Sequence, residues 1–307
     1  MNSKKLLCIT GPTATGKTRL AALIAYELQA EIISADSRQV YRGMNLGTGK
    51  DYEDYIVNDV CIPSHLIDIA DAGSEYNVYK FQQDFLESYQ NITKKGKTAL
   101  LCGGTGMYIE SVIGGYQLMN APEDKDFRLT LKDKSIEELQ LILSLSKPLH
   151  NTTDILDRNR LIRALEISNY KGNASLIINY PQIPYVLIGI LFEREFIRKR
   201  ITERLQQRLK SGMIEEVKQL LKNGLTSEQL MFYGLEYSYI TMYINNEIGY
   251  DEMFRMLNIA IHQFAKRQMT WFRRMEKKGF EIHWIDGQKS ETEKMNEILE
   301  IYYKGNE

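Results

Sequence analysis

The sequence of 307 residues has few cysteines and no long apolar run. Cys8, Cys61 and Cys102 are too widely spaced to form a metal-ligand pattern, and Cys8 and Cys102 lie in apolar runs that are typical of core residues. An odd number of free thiols suits a reducing cytosol. No apolar stretch approaches the ~20 residues that a membrane helix needs, and a strand pattern begins too close to the N-terminus to leave room for a signal peptide. We therefore expect a cytoplasmic protein without a membrane segment.

An excess of charge of either sign is also absent. The formal net charge is −1, so the chain as a whole gives no basic signal for nucleic-acid binding, and any such surface must be local. Apolar residues make up 43% of the chain and charged residues 26%, which is ordinary for a soluble globular protein. The length allows one large α/β domain, or a core with a smaller inserted domain.

Short apolar runs that alternate with helical patterns predict a parallel β-sheet. Apolar residues over 17–29 have the spacing of one helix face, between two runs that read as buried strands. Strands that alternate with helices imply βαβ units. The predicted strands are 5–10, 31–35, 98–102 and 184–192, with a weaker one at 65–69 and a last one at 280–285 that closes the sheet edge.

The pattern changes between residues 120 and 180, which are mostly polar and helical and contain no buried strand. An amphipathic helix is predicted at Asp154–Ile167, and long helices follow at 194–222 and 251–278. We therefore expect an α/β fold with a P-loop NTPase-like parallel sheet flanked by helices, and a mostly helical inserted domain. The expected domains are a core of residues 1–119 and 181–307 and an insertion of residues 120–180.

A phosphate-binding loop stands between the first strand and the first helix. Its residues, GPTATGKT, match the pattern G-x-x-x-x-G-K-[ST] in the required context. Glycines allow the backbone N–H groups to turn inward, the helix N-terminus adds partial positive charge, and the lysine adds a full one. The loop indicates a polyphosphate ligand without specifying ATP. Its members are Gly11, Pro12, Thr13, Ala14, Thr15, Gly16, Lys17 and Thr18, and the Thr18 hydroxyl is the expected ligand of a Mg²⁺ ion.

A P-loop kinase or NTPase is the first alternative. Such an enzyme needs an acidic residue after a second strand, and Asp36 fits that position. The strand at 98–102 ends in Gly-Gly-Thr-Gly and carries no Walker B aspartate. This disfavours an NTPase and leaves a small-molecule kinase open.

Seven motifs in order along the chain resemble the tRNA dimethylallyltransferase family. The first is shared by many families, the last is highly specific, and the ordered set is more specific still. The motifs are GPTATGKT at 11–18, IISADSRQVYRGMNLGTGK at 32–50, HLIDI at 65–69, GGTGMY at 103–108, DRNRLIRALEI at 157–167, the RIxxR pattern at 200–204 and QFAKRQMTWFR at 263–273.

The resemblance implies a reaction and three catalytic residues. Family members transfer a dimethylallyl group from dimethylallyl diphosphate to N6 of the adenosine just 3′ of the anticodon, at position 37 of tRNAs that read codons beginning with U. By this resemblance Asp36 orients the amine and accepts its proton, Arg204 binds the diphosphate, and Thr105 reaches the bridging oxygen or the adenine. The position of Asp36 after a strand near the phosphate loop is independently sensible in a doubly wound sheet.

The resemblance also implies a tRNA-binding surface, with the anticodon stem-loop as the partner and a monomer as the expected state. The target adenosine must be splayed out of the loop to enter a pocket. Basic residues interleaved with aromatic ones, as in KRQMTWFR, suit an RNA backbone with stacked bases. The implied tRNA contacts are Asp36, Ser37, Arg38, Gln39, Thr105, Arg128, Asn159, Arg160, Leu161, Ile162, Arg163, Lys266, Arg267, Gln268, Trp271, Phe272 and Arg273.

Several positions differ from the family pattern. The family usually has Ala-Lys-Pro where Gly49-Lys50-Asp51 stands, and a His pair where Ser64-His65 stands. It usually has a Gly-Tyr-Lys/Arg-Glu stretch where Gly234-Leu235-Glu236-Tyr237 stands. Arg208 replaces a common methionine. These differences bear on tRNA selection and efficiency more than on the reaction class.

Two further alternatives remain open beside the kinase. One is a prenyltransferase that acts on free adenine nucleotides, against which the insertion and the KRQMTWFR segment argue. The other is an RNA-binding protein that has lost catalysis, against which the intact Lys17, Thr18, Asp36 and Thr105 argue.

Overall fold

The structure is a computed structural model, and it describes residues 4–146, 157–170 and 180–306. The chain divides into two compact units, one formed by Met1–Gly115 with Gln182–Glu307 and the other by Tyr116–Pro181. In the described part of the chain, none of the helices has both the length and the apolar character needed to cross a bilayer.

The first unit is built on a six-stranded parallel sheet, which confirms the α/β fold expected from the sequence. The central strand pairs on both sides, with Leu7 opposite Leu100 on one neighbour and opposite Val186 on the other. The strands are β1 (Leu6–Thr10), β2 (Glu31–Ser34), β3 (Ile56–Val57), β4 (Val60–Cys61), β5 (Ser64–His65), β6 (Ala99–Gly103), β7 (Tyr185–Leu191) and β8 (His283–Asp286). The sheet order is β5-β2-β6-β1-β7-β8, while β3 and β4 form a separate antiparallel pair.

Twelve α-helices are seen in the described residues, with one turn of 3₁₀-helix at Tyr52–Tyr55. Those of the first unit are α1 (Lys17–Leu28), α2 (Val78–Lys94), α3 (Gly106–Ile113), α7 (Arg194–Lys210), α8 (Met213–Lys222), α9 (Ser227–Phe232), α10 (Leu235–Ile244), α11 (Tyr250–Lys277) and α12 (Glu291–Asn306). Those of the second unit are α4 (Lys125–Thr130), α5 (Ile136–Ser146) and α6 (Arg158–Asn169).

Helices cover both faces of the sheet. Helices α1 and α12 pack on one face, where Ile24 and Ile298 join the sheet residues Ile32 and Ile188 in one core. Helices α2 and α3 pack on the other face, with α11 against α3. The central strands are uninterrupted apolar runs because a parallel sheet of this kind is buried on both sides. Cys8 and Cys102 are buried within these strands, as their surroundings in the sequence predicted.

A second core lies beside the carboxyl ends of the strands. It is formed by α7, α8, α10 and α11 together with the segment that follows β2, and Tyr41, Met44, Leu205 and Leu257 are among its buried residues. This packing sets one face of α7 and α11 next to the ends of β1, β2 and β6. The helices that follow β7 therefore complete the surroundings of the phosphate loop.

Two predicted elements differ in the structure. Of the strand predicted at 65–69, only His65 pairs in the sheet, as the second residue of β5, because Leu66 and Asp68 adopt left-handed conformations with φ of 63° and 54° and lead the chain away. The single helix predicted at 194–222 is two helices, α7 and α8. It breaks at Gly212, whose φ of 99° favours glycine.

The second unit is a small helical cluster. Leu131, Leu139, Leu143, Leu161 and Leu165 form its core. Helix α6 begins after Asp157, whose side chain accepts a hydrogen bond from the Arg160 N–H at 3.0 Å. The predicted start of this helix at Asp154 lies outside the described residues, and the assignment of the unit to tRNA contact stays a prediction.

A buried carboxylate holds this unit together. The Glu166 side chain is 1% exposed and accepts two hydrogen bonds from Arg128, at 2.7 and 2.9 Å, and one from Arg163 at 3.1 Å. It also accepts the Asp124 N–H at 3.0 Å. The hydrogen bond from Arg128, which outweighs the opposing effect of burial, lowers the pKa of Glu166 to about 2.

The stability of this unit is therefore expected to depend on pH. Because the folded pKa of Glu166 lies below its ordinary value of 4.5, its stabilisation is complete above about pH 4.5 and is lost as the pH falls toward 2. Amide hydrogen exchange within residues 116–181 should be faster in Glu166→Gln than in the unchanged protein above about pH 4.5, and the difference should vanish near pH 2. Asp133→Asn, at an exposed position of the same unit, serves as the control. A difference that persists undiminished at the lowest pH would contradict this role.

Candidate diphosphate and adenosine site

The phosphate loop joins β1 to α1 and needs glycine where it passes the neighbouring strand. Gly11 has a φ of 155°, and a Cβ atom there would lie 2.8 Å from the Ile190 carbonyl oxygen. Ala14 and Gly16 adopt left-handed conformations with φ of 63° and 75°. The Thr15 hydroxyl donates to the Pro12 carbonyl at 2.9 Å and closes the turn. This backbone curls as an anion-binding nest does.

Lys17 is the first residue of α1 and supplies the positive charge of the loop. Its Nζ donates to the Pro12 carbonyl oxygen at 3.3 Å. Burial lowers the pKa of Lys17, while the neighbouring Asp36 opposes this shift. This bond places the ammonium group at the loop, where it can bind an anionic ligand.

Gln268 on α11 fixes the phosphate loop to the loop after β6. Its Oε1 accepts the Thr13 N–H at 2.8 Å, and its Nε2 donates to the Gly104 carbonyl at 2.9 Å. The side chain is only 8% exposed. The family resemblance implied that Gln268 contacts tRNA, and this stays a prediction; both ends of the amide have partners within the protein.

Asp36 follows β2 and is held by the turn that it begins. Its Oδ1 accepts the N–H groups of Arg38 at 2.9 Å and Gln39 at 3.3 Å. Among the residues that the structure describes, no donor is bonded to Oδ2. One carboxylate oxygen is thus fixed while the other can accept a proton or hydrogen bond in the cleft.

Thr105 lies beside this turn, because β2 and β6 are adjacent in the sheet. The Thr105 N–H donates to the Ala35 carbonyl at 3.2 Å, and the Thr105 hydroxyl oxygen accepts the Ser37 N–H at 3.1 Å. Gly103 permits the close approach, since a Cβ there would lie 2.2 Å from the Ala35 oxygen. Thr105 is therefore bonded to both chain neighbours of Asp36, which places these two residues implied in catalysis next to each other.

Three arginines of α7 follow one another at intervals of four residues, on one helix face. The Arg200 Nε donates to the Ala14 carbonyl at 2.9 Å, and the Arg204 Nη1 donates to the Thr13 hydroxyl at 3.4 Å. Arg208 continues the row and donates to Asp51 at 3.2 Å. The sequence identified only Arg204 as a site residue, although the regular spacing of the three was available as a signal.

The segment before Asp51 is fixed by a carboxylate from α8. The Glu216 side chain accepts the N–H groups of Asn45, Leu46 and Gly47, at 2.9, 2.7 and 3.1 Å. It also accepts the hydroxyl of Tyr237 at 2.7 Å. These bonds fix the segment of residues 47–51 next to α7. We call this segment the 47–51 wall.

Most of the side chains described above border a cleft of about 1400 Å³. This volume exceeds the range of about 300–1,000 Å³ that is typical of small-molecule pockets, so the cleft has room for a large ligand. Its lining includes the phosphate loop from Thr13 to Thr18, the turn Asp36–Gln39, Thr105, Asp51 and the three arginines of α7.

Of the two aromatic residues predicted to bind tRNA, Phe272 is buried and Trp271 is half-buried. Phe272 is 0% exposed and meets Trp284 edge to face at 6.3 Å between ring centroids, so its side chain belongs to the core, contrary to the prediction. Trp271 lies against Gly106, where a Cβ would be 2.3 Å from its ring, and Arg274 covers its face at 3.7 Å.

Other aromatic residues stand at the rim of the cleft. Phe232 is 59% exposed with the Arg38 guanidinium 5.7 Å from its ring centroid, and Phe264 is 40% exposed with Arg267 at 5.9 Å. The sequence did not identify Phe232 or Phe264. The basic residues predicted on α11, Lys266, Arg267 and Arg273, are exposed, and their contact with tRNA stays a prediction.

The predicted tRNA residues of the second unit also separate into two groups. Asn159 and Arg160 are exposed and stay predicted contacts, and Ile162 is half-buried. Leu161 is buried in the core of the unit, contrary to the prediction of tRNA contact by its side chain. Arg128 and Arg163 bind Glu166, and Arg163 also donates to the Ala121 carbonyl at 2.6 Å.

A magnesium site would depend on the ligand. No group of three or more His, Cys, Asp or Glu side chains suited to a metal occurs in the described ranges of the chain. The Thr18 side chain lines the cleft beside the phosphate loop. Because Mg²⁺ usually binds through few protein groups together with water and substrate phosphates, Thr18 fits such an ion only in the company of a diphosphate. Its role as a ligand stays a prediction.

The fold and cleft define a class of protein: an α/β enzyme with a phosphate loop whose anion site is next to a carboxylate. A model of the IPP transferase family matches residues 39–275, and a model of the isopentenyl transferase family matches residues 4–58. The chain therefore belongs to the IPP transferase family and is a prenyltransferase.

Relatives of known name agree with this membership. The chain is 52% identical over 307 residues to a tRNA dimethylallyltransferase 2 of Phocaeicola vulgatus, covering 100% of both chains. It is 54% identical over 292 residues to a tRNA dimethylallyltransferase 2 of Bacteroides fragilis, covering 95% of each.

Solved structures are similar as well. The crystal structure of a full-length tRNA isopentenylpyrophosphate transferase from Bacillus halodurans matches with a TM-score of 0.71 and 30% identity, covering 98% of both chains. A eukaryotic dimethylallyltransferase acting on tRNA matches with a TM-score of 0.76 over 93% of this chain and 74% of the other, and at 22% identity it supports the fold alone.

Proposed function

We propose that this enzyme transfers the dimethylallyl group of dimethylallyl diphosphate to N6 of the adenosine at position 37 of tRNAs that read codons beginning with U. The observation that carries the proposal is the meeting of Asp36 and Thr105 beside the phosphate loop in one cleft. Family membership and the names of the relatives support the same reaction. A kinase is disfavoured by this membership.

Asp36 makes the exocyclic amine a usable nucleophile. The lone pair of that nitrogen is delocalised into the adenine ring, so the amine needs orientation and removal of a proton as it attacks. In the proposed reaction N6 attacks C1 of the dimethylallyl group, the C1–O bond breaks, diphosphate leaves, and Oδ2 of Asp36 accepts the N6 proton. The hydrogen bonds from Arg38 and Gln39 to Oδ1 hold the carboxylate for this step.

The leaving diphosphate is stabilised at the phosphate loop, beside Asp36. The N–H groups of the loop, Lys17 and Arg204 supply charge-assisted hydrogen bonds where negative charge develops. A Mg²⁺ ion held by the diphosphate and the Thr18 hydroxyl would neutralise further charge. We also propose that the enzyme is a monomer.

Incubation of the purified protein with Mg²⁺, labelled dimethylallyl diphosphate and unmodified tRNA tests the proposal. Label in tRNA and not in AMP, which is offered in a parallel reaction, is the expected result. Label in AMP alone would move the function to free-nucleotide prenylation. A further reaction contains ATP in place of the prenyl donor. Phosphate transfer from ATP, with no prenyl transfer, would indicate a kinase.

Within the second unit, Arg160 is expected to contribute to tRNA affinity and Arg163 to stability. Arg160→Ala should weaken tRNA binding and reduce the slope of log affinity against log salt concentration by about 1, because one phosphate contact is lost. Arg163→Ala removes a bond to Glu166 and should lower the unfolding midpoint instead. Binding titrations at several salt concentrations, beside urea denaturation, separate these effects. An unchanged salt slope in Arg160→Ala would mean that this arginine is structural.

A further inference from the structure

Arg208 and Arg204 bring two guanidinium groups together at Gly49. A Cβ atom on Gly49 would lie 2.3 Å from the Arg208 Nη2 and 2.8 Å from the Arg204 Nη2, so both groups pack on this glycine. The Arg208 side chain is 13% exposed and the Arg204 side chain 34% exposed. Because Arg204 also reaches the Thr13 hydroxyl, the pair lies next to the phosphate loop.

A single carboxylate bridges the two guanidinium groups. The Asp51 Oδ2 accepts from Arg204 at 2.9 Å and from Arg208 at 3.2 Å, while the Asp51 side chain is 45% exposed. Burial and the charge of Arg204 lower the pKa of Arg208 to about 10, against the opposing effect of Asp51. Burial raises the pKa of Glu236, another acid near this pair, which weakens it as a counter-ion. Two cations thus share one half-exposed anion.

This arrangement suits a diphosphate better than a carboxylate. A guanidinium binds phosphate oxygens through a planar pair of N–H donors, and a diphosphate offers several such oxygens with more charge than one carboxylate. A half-exposed carboxylate exchanges its partners for water at small cost. Asp51 and Arg208 are two positions at which this chain differs from the family pattern. Their side chains form an ion pair with each other.

We propose that Arg208 is a second diphosphate-binding guanidinium beside Arg204, and that Asp51 is a resident counter-ion which the prenyl diphosphate displaces. This inference rests on the proposed function for the identity of the diphosphate. Asp51 then tunes affinity: it keeps the two arginines in place in the free enzyme and competes with the donor for them. The alternative is an ion pair that only fixes the 47–51 wall on α7.

Calorimetric titration of the purified full chain with magnesium diphosphate, without tRNA, tests this. Arg208→Met, which introduces the residue common in the family, should raise the Kd by about tenfold, the loss expected for hydrogen bonds to a charged group. Asp51→Asn should lower the Kd, and this gain should disappear in the Arg208→Met background, since the two side chains act on one another. Lys210→Met removes a charge from an exposed position of the same helix and should leave the Kd unchanged.

Stability is measured on the same variants, so that a folding defect is recognised. Arg208→Lys keeps the charge without the planar donor pair and should give an intermediate Kd at an unchanged melting temperature. An unchanged Kd in Arg208→Met, with a lower melting temperature, would overturn the proposal in favour of a structural pair. Absence of diphosphate binding by the unchanged protein would also overturn it. Transfer of label to tRNA is measured in a separate assay. A failure of the proposed function is therefore distinguishable from a failure of the proposed diphosphate contact.

Discussion

Asp36→Asn is expected to lower the turnover number by about 10²-fold or more, because the amide cannot accept the N6 proton. The substitution retains an oxygen that can accept the Arg38 and Gln39 N–H groups, so the turn and the affinity for tRNA should be nearly unchanged. Single-turnover transfer of labelled dimethylallyl to saturating tRNA, with a parallel binding titration, measures both quantities.

Asp286→Asn is the matched control for this experiment. Asp286 also ends a parallel strand and accepts the N–H of the residue two positions later, at 2.9 Å, but does not line the cleft. It should show full turnover. If Asp36→Asn retained the turnover of the control, Asp36 would not be the base, and the proton would have to leave through another group.

Gly103→Ala is expected to destabilise the fold by about 3 kcal/mol or more, at the upper end of the cost of overpacking. The new Cβ would lie 2.2 Å from the Ala35 oxygen and 2.4 Å from its carbonyl carbon, which are backbone atoms that cannot rotate away. The strands β2 and β6 would have to separate where Asp36 and Thr105 meet. The midpoint of urea unfolding by circular dichroism reports this loss.

Gly249→Ala provides the comparison for Gly103→Ala. Apart from its chain neighbours, a Cβ on Gly249 would have no atom of the described residues within 4 Å, and its φ of −78° is open to any residue. Its unfolding midpoint should remain close to that of the unchanged protein. Equal midpoints for the two variants would show that the loop after β2 can move without cost, and that the close approach does not define the site.

The sheet and the position of Asp36 could be predicted from the sequence because both follow from short-range rules. Buried parallel strands are uninterrupted apolar runs, and the carboxyl ends of such strands meet at one edge. Asp36 and Thr105 each follow such a run, so their meeting was a consequence of two strands being neighbours.

Contacts across long stretches of chain could not be predicted from the sequence. The pair Asp51–Arg208 joins residues 157 positions apart, and no local pattern connects them. The aromatic and basic segment of α11 suggested stacking on RNA, whereas Gln268, Phe272 and Met275 recur at helical spacing and form its buried face. That periodicity was visible, and it distinguishes the core-facing side of the helix from its exposed cations.

The bond between Gln268 and Thr13 spans 255 positions and has a consequence for synthesis on the ribosome. The N-terminal part of the chain emerges first. Its phosphate loop lacks the hydrogen bond to Gln268 until α11 has been made and has packed in place. An incomplete chain thus carries the motif without the finished anion site. Since a ligand of the native state stabilises only the molecules that can bind it, a diphosphate selects completed chains over partly made ones.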